Sequence, residues 1–225
     1  MGSFYHEVTV WTRGIIMDKE ARDVANCLAL AAGKEGRFTQ YISDYVDTPD
    51  RTNCLVRKYA RISDAPIEDR MIYENPHPNI VVLIEETLVK AVNFFRGTPD
   101  GEGVLVVNTA RDPEYVLKHV IDLEQKLKLL VCVDAVGLAE KVGGSPWMYV
   151  NSLYNLAYDR MSTEGASEKR HVGIGIAAPL IGAVVKATGV VSVDSMQAVV
   201  HDVDAARRGY DSVKILDYAG RKAAV

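Results

Sequence analysis

A chain of 225 residues, 48% hydrophobic and 25% charged, has the composition of an ordinary globular protein and the length for one sizeable α/β domain. A formal charge of −4 leaves no electrostatic footprint for nucleic acid, and no run of like charges makes an acidic or basic tail. The opening MGSFYHEVTV has no basic segment followed by an apolar run, so no signal peptide is expected and the expected location is the cytoplasm.

In chain order, Glu7–Trp11 reads as a first strand and Lys19–Ala32 as a helix with one apolar face, stopped by Gly33 as C-cap. Cys54–Ala60, Ile80–Ile84, Gly103–Asn108 and Leu129–Asp134 read as further strands. The runs IVVLI, GVLVV and LLVCV are continuously apolar, as they are where helices cover both faces of a sheet. The turn Thr98-Pro99-Asp100-Gly101 separates a helix from the GVLVV strand. Pro113–Lys128 reads as one helix, with Asp112 as N-cap, Pro113 at the first helical position and Glu114 behind it.

Tyr149–His171 is the least regular stretch, an insertion that suits a partner-contacting arm or a loop. Gly173–Val191 has the look of a membrane span, but Pro179, Lys186 and its many Gly and Ala residues make it a buried helix, Ala177–Ala187, ending at Gly189. Ser192 caps a helix through Val200, and Val203–Arg208 ends at Gly209. The alternation predicts an α/β fold of three layers, with a mostly parallel sheet of about five or more strands and helices on both faces. No repeat or linker divides the chain, so a single domain over residues 1–225 is expected.

Cys27, Cys54 and Cys132 form no C-x-x-C pair, which argues against a disulfide framework, a zinc site or a local iron–sulfur cluster. The five histidines are equally scattered, and no metal site is expected. Ligands of an open parallel sheet gather at the carboxyl ends of strands, beside helix N-termini. Three places qualify. Arg13 and Gly14 follow the first strand, but one glycine before Ile15-Ile16-Met17 does not make a dinucleotide fingerprint. Asn108-Thr109 ends GVLVV, where polar groups meet ligands or cap loops. Asp134 ends LLVCV, where an Asp suits the N-cap of the next helix. Glu85-Glu86 reads as a solvent-facing pair, and no nucleophile with a positioned base is recognisable. These residues suit a subunit or binding module better than a complete enzyme.

Ordered segments then carry a resemblance. Arg61-Ile62-Ser63-Asp64 with Pro66-Ile67, Asn79–Leu83, Gly103–Thr109, Val133-Asp134-Ala135 with Ala139, Ala183–Val193 and Ala205–Tyr210 resemble, in order and spacing, the γ subunit of pyruvate and other 2-oxoacid:ferredoxin oxidoreductases. The resemblance implies partner α and β subunits, which bind thiamine diphosphate with Mg, and a ferredoxin-like δ subunit. The [4Fe–4S] clusters lie in β and δ, and electrons pass to ferredoxin or another acceptor. It also implies that this chain holds no cofactor alone but walls the active site and the coenzyme A channel, with Arg13, Gly14, Asn108 and Thr109 nearest that channel. The family's glycine loops are here Gly14-Ile15-Ile16-Met17 and Tyr45–Asn53, whose side chains obstruct close backbone approach to a pyrophosphate. Three readings therefore stay open: a coenzyme A-using member, a coenzyme A-independent one of the oxalate-oxidising type, or a non-catalytic assembly module of the same fold.

Overall fold

The fold is seen in a computed structural model that describes residues 4–13, 17–43, 54–139 and 175–223. In chain order the strands are β1 (Tyr5–Arg13), β2 (Phe38–Ser43), β3 (Leu55–Ser63), β4 (Ile80–Leu83), β5 (Gly103–Asn108), β6 (Leu127–Val133) and β7 (Lys214–Asp217). They form one sheet in the order β2-β3-β1-β4-β5-β6-β7. The central pairings β1–β4, β4–β5 and β5–β6 are parallel. Antiparallel strands flank them, β3 and β2 on one side and β7 on the other.

Alternation along each strand sorts the apolar side chains into two cores. Val8, Val10, Val82, Val106 and Val131 face a layer built from α1 (Asp18–Lys34) and α5 (Ala177–Thr188). Val81, Leu83, Leu105, Val107 and Leu130 face Leu88, Phe94, Phe95 and Val116 on the opposite side. That side is covered by a 3₁₀ turn (Glu86–Lys90) and by the short helices α2 (Pro113–Leu117) and α3 (Leu123–Lys126). The α/β fold with both faces covered agrees with the continuous apolar runs.

Helix α5 is buried along Ala177–Val185 because α7 (Val203–Ser212) packs on its outer side. A helix enclosed on all sides reads as apolar all round, which is why its sequence imitates a span. No helix among the described residues is long and apolar enough to cross a membrane.

The element boundaries bring several corrections. The single helix expected over Pro113–Lys128 is broken: Asp122 takes a left-handed conformation, φ 56°, and β6 already begins at Leu127. Asp112 stands at the N-cap of α2, yet its carboxylate accepts from Lys214 Nζ at 2.8 Å rather than from the helix. Gly33 lies inside α1, and the left-handed position after the helix falls to Gly36, φ 80°. Helix α7 runs through Gly209 to Ser212. The helix after Ser192, α6, is the short Val193–Gln197, capped by the Ser192 side chain accepting from Ser195 N. The insertion expected at 149–171 lies outside the described residues.

Candidate functional site

The chain leaves β1 on the α1 side of the sheet and leaves β4 on the other side. The crevice where an open sheet takes ligands is therefore at the carboxyl ends of these two strands, where the crossovers diverge. Arg13 ends β1 there and Glu85 follows β4. Burial raises the Glu85 pKa, opposed by the positive charge of Arg13 and a hydrogen bond from Thr87. Gly14 lies outside the described residues.

Asn108 and Thr109 extend the same edge, and both turn their polar groups into the fold. Asn108 Nδ2 donates to the Ile84 carbonyl at 2.9 Å, and its Oδ1 accepts from Ala135 N at 3.0 Å. One side chain thus ties the end of β4 to the start of α4 (Ala135–Leu138). Thr109 Oγ1 donates to Glu86 Oε2 at 2.6 Å and accepts from Arg111 N at 3.0 Å, while Arg111 Nε donates to Glu86 Oε1 at 3.2 Å. Glu85 and Glu86 are consequently half-buried and engaged, not a solvent-facing pair. Asp134 acts as the expected cap: its Oδ1 accepts from Gly137 N at 2.9 Å.

Two helices present their N-termini at this edge, and the chain supplies a carboxylate to each. Asp18, in the first turn of α1, pairs with Lys58 Nζ at 2.5 Å, and that lysine is only 1% exposed. Glu20, also in the first turn of α1, accepts from Ala177 N, the first amide of α5, at 2.8 Å and from Gly175 N, just before that helix, at 3.2 Å. Burial raises the Glu20 pKa, and the two amide donors oppose the rise. A carboxylate at a helix N-terminus takes the place that a phosphate would take. A cavity of about 600 Å³ lies beside Glu20, lined also by Lys19, Asp23, Cys27, Ile181 and His201.

Glu20 was not visible in the sequence as a site residue, because an acidic residue in a first helical turn carries no mark of the helix it will cap. Among the described residues no cluster of three or more His, Cys, Asp or Glu side chains is placed to hold a metal.

A seven-stranded sheet covered on both faces, with one carboxyl edge braced by its own side chains, defines an α/β domain of the open-sheet class. No family model matches the chain. It is 31% identical over 202 residues, 89% of each chain, to the γ subunit common to the pyruvate and ketoisovalerate oxidoreductases of Thermococcus kodakarensis. The corresponding subunit of Pyrococcus furiosus is 30% identical over 204 residues, 86% of this chain and 90% of that one. The crystal structure of a pyruvate oxidoreductase subunit from Thermotoga maritima matches with a TM-score of 0.63 at 25% identity, over 95% of this chain and 99% of its own. The chain belongs to the γ-subunit family of the 2-oxoacid:ferredoxin oxidoreductases, and it is a subunit of such an enzyme complex.

Proposed function

We propose that this chain, folded as one domain, walls the thiamine diphosphate site of neighbouring subunits during oxidative decarboxylation of a 2-oxoacid. The observation that carries the reading is the topological switch between β1 and β4, which sets Arg13 and Glu85 at the edge where this sheet class takes ligands. Arg13 and the neighbouring Gly14 border the substrate channel. Asn108 and Thr109 act one step back, holding Ile84, Ala135 and Glu86 in place. The chemistry itself would belong to the partners: thiamine diphosphate with Mg would serve as the electron sink for decarboxylation, and [4Fe–4S] clusters in β and a ferredoxin-like δ subunit would supply the electron path to ferredoxin or another acceptor.

Choice of 2-oxoacid rests with those partners. The relatives in Thermococcus and Pyrococcus are subunits common to pyruvate and ketoisovalerate oxidoreductases, and a shared chain is poorly placed to tell the two acids apart.

A second reading, a coenzyme A-independent member, is favoured by Asp18 and Glu20. A pyrophosphate does not fit at either helix N-terminus while Asp18 pairs with Lys58 and Glu20 caps α5. No step through coenzyme A is assigned to this chain.

Native purification through a tag on this chain tests the proposal. Iron, thiamine diphosphate and partner chains in the eluate support it, whereas a colourless lone chain sinks it. Screening that complex on 2-oxoacids with and without coenzyme A then separates the two readings.

A further inference from the structure

On the face of the sheet away from α1, the short helices stand over β4 to β6. The β1–β3 half of that face carries a cavity instead. Alternation puts Thr9 and Trp11 of β1 on this face, opposite Tyr59 and Arg57 of β3. Two chain segments wall the cavity, 74–78 before β4 and 92–97 before β5, around a volume of about 610 Å³. That is the size of a small-molecule site.

The walls are fixed before anything binds. Asn75 Nδ2 donates to the Val8 carbonyl at 2.9 Å and to Thr9 Oγ1 at 3.2 Å, while its Oδ1 accepts from Arg61 Nε at 3.1 Å. Gly97 lets the second wall meet the first: its φ is 84°, and a Cβ there would lie 2.1 Å from the Pro76 carbonyl oxygen. A pocket shaped by its own backbone contacts loses little entropy on being filled.

The lining combines aromatic rings with guanidinium groups. Trp11, Tyr59 and Phe94 line the cavity, and the Arg57 guanidinium lies 5.2 Å from the Trp11 ring centroid and 5.6 Å from that of Tyr59. Arg57 is also bridged to Glu74 at 3.1 Å. Arg96 is exposed where it lines the cavity, and among the described residues no ion pair or side-chain hydrogen bond engages it. The lining thus carries one positive charge in excess, Arg57 and Arg96 against Glu74. That excess beside three aromatic rings suits a planar body ending in a single carboxylate. A dianion such as a phosphate ester would leave negative charge unmatched beside Glu74.

We propose that this cavity is a binding site for an aromatic monocarboxylate, with the ring among Trp11, Tyr59 and Phe94 and the carboxylate on Arg96. The site is built from this chain alone, so its failure would leave the γ-subunit reading untouched.

The test is titration calorimetry of the purified full-length chain with phenylacetate, with its neutral isostere phenylacetamide, and with acetate. Phenylacetate is expected to bind about tenfold or more tightly than either of the others. Arg96→Gln should weaken phenylacetate by about tenfold and leave phenylacetamide unchanged. Arg96→Lys keeps the charge and should recover most of that loss. Arg96 is exposed, so both variants should unfold at the wild-type temperature. Absence of phenylacetate binding overturns the site. Equal affinity for phenylacetamide overturns it as an anion site, and equal affinity for acetate overturns it as an aromatic one. Undiminished phenylacetate affinity in Arg96→Gln also overturns the proposal.

Discussion

The Glu20 carboxylate accepts a hydrogen bond from the Ala177 amide at 2.8 Å, joining the first turn of α1 to the N-terminus of α5 across a buried contact. Glu20→Ala leaves the Gly175 and Ala177 amides without their acceptor and should cost about 2–3 kcal/mol, read from denaturant unfolding. Glu20→Gln keeps one acceptor and should cost less.

The same residue gives a pH dependence with a defined sign. Burial raises its folded pKa above the unfolded value. Its contribution is therefore fully present below the unfolded carboxylate pKa and is lost as pH rises through the folded one. The stability difference between wild type and Glu20→Gln should move in favour of wild type on acidification through that window. A pH-independent difference would contradict the assignment.

Asn108 should act as a brace. Asn108→Ala strands the Ile84 carbonyl and the Ala135 amide, and a cost of about 2–4 kcal/mol is expected. Asn108→Asp keeps the acceptor for Ala135 N but sets a buried carboxylate against the Ile84 carbonyl, so at neutral pH it should cost at least as much as the alanine. The loss should shrink on acidification, as the carboxyl takes up a proton that it can donate. A loss that does not change with pH would contradict the contact with Ile84.

Two helical glycines should respond in opposite directions. A Cβ on Gly209 would sit 2.1 Å from the Pro179 carbonyl oxygen and 2.4 Å from its Cα, backbone atoms that cannot step aside. Gly209→Ala should destabilise by about 1–3 kcal/mol or more. A Cβ on Gly33 meets only Thr39 Oγ1, at 3.8 Å, so Gly33→Ala should stabilise α1 by about 0.5–1 kcal/mol.

Much of the sheet was legible because β4, β5 and β6 carry the uninterrupted apolar runs IVVL, VLVV and LLVCV, whose residues pack on both faces. The edge strands were not. Phe38–Ser43 is at most half-buried along its whole length and has no apolar run, and Lys214–Asp217 is four residues long with one buried side chain. The broken helix at Asp122 was hidden because capping residues at Asp112 and Pro113 announce a start and say nothing about length. Gly209 read as a helix stop since its real constraint, the approach of Pro179, is tertiary. At the site, position at the strand ends was foreseeable for Arg13, Asn108 and Thr109. The partners were not, because Asn108–Ile84, Thr109–Glu86 and Glu20–Ala177 join residues far apart in sequence.

The most direct measurement is 2-oxoacid-dependent reduction of a viologen dye by the reconstituted α, β and δ subunits, with this chain added or omitted. The account predicts turnover that requires the chain and that falls about tenfold or more when Arg13→Gln replaces it, with complex yield unchanged, as expected for loss of a charge-assisted contact. Full turnover without the chain, or with Arg13→Gln, would contradict the claim that its carboxyl edge forms part of the active-site wall.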